Sequence, residues 1–322
     1  MDFFSRANPI IVIAGPTASG KSELAVNLSL KLREQNIEAE ILCADSITVY
    51  KGFEIGAAKP NDELKKLVPH HLLDICNADQ NFTAGSFTLK ANALIAKLHA
   101  NKKVPILVGG TGFYIRALIQ GMAEEAEEDK NEVLKVKASL EERAKEEGYS
   151  KLYQEMLSLD PSLKIMIHEN DHYRIIRALQ AMKVSGTRWS ELNAKAKNSA
   201  PKYENSKYFC INIPRDVLRE RVIFRTKKML SDGLVEEVKN LLADGVPPNA
   251  KPMQSVGYKE CVVYLQSEKP SITTLEENIV RETMRLAKRQ NTWFRGEKNV
   301  IWLPIEKEEN LCTNMLNSLN ER

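Results

Sequence analysis

The sequence predicts an α/β fold, in which a parallel sheet is flanked by helices and the chain carries an inserted helical domain. Short, mainly apolar runs at residues 10–14, 40–44 and 104–108 have the length of buried strands. Helical periodicity follows the first run and fills residues 84–100, between the second and third. A connection of this length suits a crossover between parallel strands. Ligands of such sheets bind at the carboxyl ends of the strands, so we expect the site there.

The later patterns place the insertion in the middle of the chain. Residues 122–150 contain ten acidic and five basic residues, typical of a solvated helix, and helical patterns continue through 160–184. Residues 195–206 are polar, like a linker. The elements predicted after it are a strand at 208–213, helices at 217–230, 234–242 and 276–294, and a strand at 300–303. We therefore predict a core of residues 1–121 and 207–322, which includes C-terminal helices, and a helical insertion domain of residues 122–206.

The composition is that of a folded, water-soluble protein. Of 322 residues, 43% are hydrophobic and 28% charged, which excludes disordered, collagenous and disulfide-scaffold classes. No apolar run approaches the roughly 20 residues of a membrane span, and the first ten residues lack a signal-peptide pattern. We expect a cytoplasmic protein with no membrane partner. The five cysteines lack C-x-x-C spacing, and His70 and His71 have no further ligand at metal spacing, so no zinc site is predicted.

A phosphate-binding motif lies between the first strand and its helix. The pattern G-x-x-x-x-G-K-[ST] is matched by Gly15, Pro16, Thr17, Ala18, Ser19, Gly20, Lys21 and Ser22. Its glycines let backbone N–H groups face an oligophosphate, Lys21 adds a positive charge, and the Ser22 hydroxyl is a ligand for Mg²⁺, the cofactor that we expect. The core is therefore P-loop NTPase-like. The motif accepts a diphosphate as readily as the tail of ATP, so it does not identify the substrate.

Asp45 is the acidic residue best placed to act beside this motif. P-loop NTPases usually end a later strand in an acid that positions Mg²⁺, but the run at 104–108 ends in glycines. Asp45 closes the run at 40–44 and should project into the same crevice, where a carboxylate can hold metal or accept a proton. A strand-end aspartate is otherwise often only a turn or helix cap, and the residues alone leave both roles open.

Seven blocks of the sequence carry a family resemblance. They are GPTASGKS at 15–22, DSITVYKGFEIGAAKP at 45–60, VPHHLLDI at 68–75, ILVGGTGFYIRAL at 106–118, HENDHYRIIRAL at 168–179, VGYKE at 256–260 and LAKRQNTWFR at 286–295. In this order they resemble the tRNA dimethylallyltransferase family, of bacterial type, over nearly the whole chain. The resemblance implies a transferase that moves a dimethylallyl group from dimethylallyl diphosphate to the exocyclic N6 amine of adenosine 37, beside the tRNA anticodon, and releases diphosphate.

The resemblance also implies roles for individual residues. Asp45 is the general base and Arg225 the catalytic arginine, with Arg221, one turn earlier, as a weaker candidate; residues 15–22 bind the diphosphate. The anticodon stem-loop of the tRNA partner is contacted by the core and by the insertion domain. The contacts implied are Asp45, Ser46, Ile47, Thr48, Thr111, Tyr173, Arg174, Arg177, Met253, Gln254, Ser255, Val256, Gly257, Tyr258, Arg285, Lys288 and Arg289.

The positions of the charges along the chain indicate an RNA partner more clearly than the net charge does. The net charge is only +3, but the acidic segment 122–150 offsets basic stretches at 172–188 and 281–298. Three alternatives stay open: a small-molecule P-loop kinase, a prenyltransferase acting on free adenine nucleotides, and a nonenzymatic RNA-binding protein. We expect a monomer.

Overall fold

A six-stranded parallel sheet forms the centre of the larger part of the protein. The computed structural model describes residues 3–121, 130–198, 202–305 and 308–320. The strands are β1 (Ile10–Ala14), β2 (Ala39–Cys43), β3 (His70–His71), β4 (Val104–Gly109), β5 (Ser206–Asn212) and β6 (Val300–Pro304). Their order across the sheet is β3-β2-β4-β1-β5-β6, and each neighbouring pair is parallel. The predicted α/β fold with a parallel sheet is confirmed.

Strand β1 lies inside the sheet and is covered on both faces. All five of its residues are buried. Alternate side chains point to opposite faces of a strand, so Ile10 and Val12 belong to one apolar cluster, while Ile11 and Ile13 belong to another on the opposite face. A strand buried on both faces reads as a continuous apolar run, which is the pattern that predicted it.

Thirteen α-helices lie in the described part of the chain. They are α1 (Lys21–Glu34), α2 (Asp62–Leu67), α3 (Ala84–Ala100), α4 (Gly112–Gln120), α5 (Lys130–Glu147), α6 (Tyr149–Leu159), α7 (His172–Ser185), α8 (Trp189–Asn198), α9 (Arg215–Ser231), α10 (Leu234–Ala243), α11 (Tyr258–Gln266), α12 (Ile272–Arg295) and α13 (Glu308–Asn320). The sequence patterns did not predict α2, α4, α6, α8, α11, α13 or strand β3. Helix α2 has six residues and none is buried, and β3 has only two residues, so neither leaves a periodic signal.

The chain divides into two compact units, residues 1–119 with 203–322, and residues 120–202. The second unit contains α5 to α8 around a core of its own, which includes Leu140, Met156 and Leu179. Two parts of the predicted insertion, residues 122–129 and 199–201, lie outside the described residues. The polar pattern from residue 195 begins within a helix, because α8 continues to Asn198. In the described residues, no helix is both long and apolar enough to cross a membrane.

Strands β2 and β4 approach each other closely where both end. A Cβ atom added to Gly109 would overlap the carbonyl group of Ala44. These are backbone atoms at the ends of two inner strands, and they cannot move aside as the end of a flexible side chain could. The missing side chain therefore lets the segments after β2 and β4 lie side by side.

Gly109→Ala is expected to destabilise the first unit by on the order of 1–3 kcal/mol, the usual cost of overpacking. The midpoint of thermal unfolding, followed by circular dichroism, measures the effect. Gly85→Ala, in the first turn of α3, is the matched control, because its new Cβ would meet only Thr83 Oγ1, at 3.7 Å. Alanine in a helix should leave the control equally or more stable. Equal midpoints for the two variants would contradict the steric argument.

Candidate active site

The phosphate-binding loop joins β1 to α1, as the sequence predicts. Gly20 is the N-cap of α1, with a φ of 87°, and it supplies no side-chain cap to the first turn. A helix N-terminus without a side-chain cap presents N–H groups and the positive end of the helix dipole to an anion. Gly15 lies in a crowded position, since a Cβ there would lie 2.9 Å from Ser19 Oγ and 3.3 Å from Ile211 Cβ. The loop is therefore a cradle suited to phosphate oxygens.

Lys21 closes this cradle with a partly buried ammonium group. Its Nζ donates a hydrogen bond to the carbonyl of Pro16, at 3.1 Å. The pKa of Lys21 is lowered from its ordinary 10.5 to about 8, mainly by burial; the negative charge of Asp45 opposes this shift, and the positive charge of Arg225 contributes to it. An anion bound in the cradle would therefore favour the protonated form of Lys21.

Diphosphate affinity is expected to fall as the pH rises through about 8, the pKa of Lys21 in the free protein. A bound anion favours the protonated amine, so binding above that pH must also take up a proton, and affinity should fall up to about tenfold per pH unit. Calorimetric titration with inorganic diphosphate between pH 7 and 9.5 measures the slope. Lys21→Met is the control, because the ligand's own titration is common to both proteins. Parallel slopes would show that Lys21 is not the titrating group.

Two arginines of α9 reach the loop. Arg225 Nη2 donates to the hydroxyl of Thr17 at 2.8 Å, and Arg221 Nη1 donates to the carbonyl of Ser19 at 3.2 Å. Burial lowers the pKa of Arg225, and the charge of Asp45 opposes that shift. Lys228, on the same helix, instead pairs with Asp232 at the protein surface. The structure thus brings Arg225 to the loop and places Arg221 there as well.

Asp45 lies in the turn after β2, beside the end of β4. Its Oδ1 accepts the N–H groups of Ile47, at 2.8 Å, and Thr48, at 3.3 Å. Thr111 Oγ1 accepts the N–H of Ser46 at 3.1 Å, which ties this turn to the segment after β4. Within the described residues, no hydrogen-bond partner meets Oδ2 of Asp45. The side chain therefore caps its own turn with one oxygen and keeps the other for a different partner.

The residues present fit a magnesium ion that arrives with a phosphate ligand. No group of three or more His, Cys, Asp or Glu side chains capable of holding a metal occurs in the described part of the chain. Mg²⁺ commonly binds through one or two protein oxygens together with substrate phosphates and water. Ser22, in the first turn of α1, offers such an oxygen beside the loop.

Gln290 is a site residue that sequence reasoning missed. From α12, its Oε1 accepts the N–H of Thr17 at 2.8 Å, and its Nε2 donates to the carbonyl of Gly110 at 3.0 Å. A signal was present, because Gln290 lies three residues after buried Ala287 and four before buried Phe294, on the apolar face of the helix. A polar residue in that position needs a partner, and here it has two.

Three basic residues of α12, Arg285, Lys288 and Arg289, form a stripe along a cavity of about 620 Å³, which is also lined by Arg116, Thr292, Trp293 and Gly296. The guanidinium of Arg116 lies 4.0 Å above the ring of Trp293 and pairs with Glu297. Arg285 is exposed and pairs with Glu282. Positive charge and an aromatic ring thus meet in one concave surface.

The predicted segment 253–258 is partly internal. Met253 and Tyr258 are 0% exposed and belong to the core, whereas Gln254, Ser255 and Val256 reach the surface to differing degrees. The hydroxyl of Tyr258 donates to Glu237 at 2.5 Å and accepts the N–H of Ala57 at 3.1 Å. Thr48, at 7% exposure, is also buried. For the buried side chains, the structure favours a role in shaping these segments over direct contact with a large ligand.

The predicted contacts in the second unit are on α7. Tyr173 is 78% exposed, and Arg174 is exposed and pairs with Asp171. Arg177 is half-buried and donates to Gln180 within the same helix, at 2.8 Å. The first two side chains are thus presented to solvent, while the third is partly engaged in its own unit.

Comparison with known proteins gives consistent matches. A family model described as "IPP transferase" matches residues 48–297. The tRNA dimethylallyltransferase 1 of Trichlorobacter lovleyi is 42% identical over 294 residues, 91% of this chain and 93% of the relative. The full-length tRNA isopentenylpyrophosphate transferase of Bacillus halodurans is 30% identical, with a TM-score of 0.68 over 97% of each chain. A eukaryotic dimethylallyltransferase acting on tRNA has a similar fold, with a TM-score of 0.80 at 23% identity over 97% of this chain and 77% of its own.

Proposed function

The chain belongs to the IPP transferase family of tRNA dimethylallyltransferases, and from this premise we propose that it transfers a dimethylallyl group from dimethylallyl diphosphate to N6 of adenosine 37 in tRNA. The juxtaposition that carries this proposal is that of Asp45, Lys21 and Arg225. The charge of Asp45 acts on both cations, and all three border the phosphate cradle. One base beside two cations suits a reaction that removes a proton and expels an anion.

The reaction requires a base near the adenine amine and positive charge near the departing diphosphate. The lone pair of the adenine amine forms a bond to the allylic carbon, the carbon–oxygen bond breaks, and diphosphate departs with the bonding electrons. The amine must also lose a proton, and we assign Oδ2 of Asp45 as its acceptor, because Oδ1 is engaged by the turn.

The leaving group meets fixed positive charge. The N–H groups of the first turn of α1 and the side chains of Lys21 and Arg225 are in place before the reaction, so stabilising the departing oxygens requires little rearrangement. Mg²⁺, held by Ser22 and the diphosphate, would add further charge neutralisation when bound. The guanidinium fork of Arg225 matches phosphate oxygens geometrically.

The tRNA would contact the basic surface of α12, together with the exposed residues of α7 in the second unit. Arg285, Lys288 and Arg289 provide the charge of the first surface, and Trp293 lines the same cavity. Phosphate contacts give affinity, while an aromatic ring accommodates a splayed base. A cytoplasmic location and a monomeric state remain predictions from the sequence.

The double variant Arg285→Ala/Lys288→Ala is expected to weaken tRNA binding and to reduce the slope of log affinity against log salt by about one for each tRNA phosphate that the protein no longer neutralises. Filter binding between 50 and 300 mM salt measures the slope. Lys239→Ala on α10 is the matched control, since Lys239 is an exposed lysine paired with Glu236. An unchanged slope in the double variant would mean that the stripe is only solvated.

One assay tests the whole proposal. The protein is incubated with Mg²⁺, dimethylallyl diphosphate and unmodified tRNA, and the digested tRNA is analysed by mass spectrometry for a dimethylallyl gain on adenosine. ATP with candidate small metabolites, and AMP with dimethylallyl diphosphate, are run in parallel. Modified AMP in place of tRNA would favour the nucleotide alternative, and ATP-dependent phosphorylation without tRNA modification would overturn the proposal. The kinase alternative has no support from the relatives described above.

A further inference from the structure

The two halves of the proposed reaction lie on different segments. The diphosphate is cradled by the loop that contains Thr17, whereas the adenosine is placed by the segments that contain Thr111 and Asp45. These segments are joined to each other by the bond from Ser46 to Thr111. Gln290 is hydrogen-bonded both to Thr17 of the cradle and to Gly110, next to Thr111.

We propose that Gln290 is a positioning residue that sets the distance between the diphosphate cradle and the adenosine-binding segment. The inference rests on the function proposed above. A primary amide is required at this position, because the Thr17 N–H needs an acceptor and the Gly110 carbonyl needs a donor. Glutamate supplies only the acceptor, and methionine, of similar size, supplies neither.

The surroundings of Gln290 leave the amide little freedom. A Cβ added to Gly110 would overlap its Nε2 atom. The hydroxyl of Thr17 is held in turn by Arg225, so Thr17 is anchored on two sides. Helix α12 packs against α9, the helix that carries Arg225. Gln290 therefore projects from a helix that is itself packed, and its side chain spaces the Thr17 loop from the Gly110 segment.

Loss of this spacing should slow the transfer step more than it weakens the binding of tRNA or diphosphate. The reacting nitrogen and carbon must approach within roughly 3–3.5 Å, and a displacement of about 1 Å can cost about 10²-fold in rate. If dimethylallyl diphosphate is misplaced relative to the adenine amine, water can react with its allylic carbon instead. Its oxygen then bonds to the allylic carbon, the carbon–oxygen bond to diphosphate breaks, and the water loses a proton, which gives dimethylallyl alcohol and diphosphate.

The experiment compares wild type, Gln290→Met and Gln290→Glu under single-turnover conditions with saturating tRNA and dimethylallyl diphosphate. We expect Gln290→Met to lower the transfer rate about 10²-fold and to raise the ratio of dimethylallyl alcohol to modified tRNA, while the affinities for tRNA and for inorganic diphosphate change less than about threefold. Gln290→Glu keeps the acceptor for Thr17 but turns a carboxylate oxygen toward the Gly110 carbonyl and adds a negative charge beside the cradle, so it should lower the transfer rate at least as much and also weaken diphosphate binding. Gln266→Met, an exposed glutamine of α11, is the matched control.

A second variant disturbs the contact between Gln290 and Gly110 by changing Gly110. Gly110→Ala should push the Gln290 amide aside and reproduce the raised alcohol ratio with Gln290 intact. Circular dichroism establishes that each variant is folded, and if Gln290→Met is not, Gly110→Ala decides. An unchanged transfer rate, or a loss explained wholly by weaker binding with an unchanged alcohol ratio, would overturn the proposal. If the wild type modifies no tRNA, the proposed function itself has failed.

Discussion

Asp45→Asn is expected to lower turnover by about 10²- to 10⁴-fold, the usual contribution of a general base, with little change in tRNA affinity. Asparagine keeps a side-chain oxygen that can accept the N–H groups of Ile47 and Thr48, so the turn after β2 is retained. What it loses is the ability to take the proton from the adenine amine. Single-turnover rates and binding by filter assay, measured on the same preparations, separate these effects.

Asp45→Ala distinguishes the two roles of this aspartate. It removes the cap as well as the base, so it should lose an additional amount of stability, about 1 kcal/mol by comparison with other caps. If Asp45→Asn turns over normally while Asp45→Ala does not, the carboxylate is only a cap and the base lies elsewhere. If both variants lost tRNA binding in proportion to their activity, Asp45 would be a tRNA-binding residue and the base would lie elsewhere.

Arg225→Ala is expected to reduce turnover by about 10²- to 10³-fold, the range found when a group that stabilises developing negative charge is removed. Arg225→Lys should recover only part of this loss, because an ammonium group keeps the charge but lacks the guanidinium fork. Turnover at saturating substrates and the affinity for inorganic diphosphate are the two measurements. Full recovery by lysine would show that charge alone matters.

Arg221→Ala is the comparison that ranks the two arginines. Arg221 donates to a backbone carbonyl of the loop, whereas Arg225 donates to the hydroxyl of Thr17 and is the more deeply buried. We expect Arg221→Ala to weaken diphosphate binding more than it slows the transfer step. A larger loss of turnover for Arg221→Ala than for Arg225→Ala would reverse the assignment.

The part of the fold that could be predicted from sequence is the part with a strong local pattern. A run of five apolar residues suits a strand covered on both faces, and the motif after it decides for a strand, because that motif requires a strand, a turn and a helix. The position of Asp45 follows from the same logic, because parallel strands end at one edge of the sheet. Helix α3 has the predicted bounds, since Thr83 caps its first turn.

The rest depends on contacts between residues far apart in the chain. Gln290 is an ordinary helical glutamine until Thr17, 273 residues earlier, is brought to it. Met253 lies in a block that resembles tRNA-contacting segments, yet it is buried, because such a block can contain internal residues as well as surface residues. No local pattern separates these two kinds of residue. Tertiary packing decides which side chains are accessible.

The loop 54–57 has a consequence for sequence variation. The carboxylate of Glu237 accepts N–H groups from Glu54, Ile55 and Gly56 as well as the hydroxyl of Tyr258. A Cβ on Gly56 would collide with the ring of Tyr258. Substitution of Glu237 or Tyr258 would therefore leave hydrogen-bonding groups of this site unpaired, and a larger residue at position 56 would overlap the ring of Tyr258. Although Gly56 and Glu237 are 181 residues apart in the sequence, a change at any of the three positions requires compensating changes at the others.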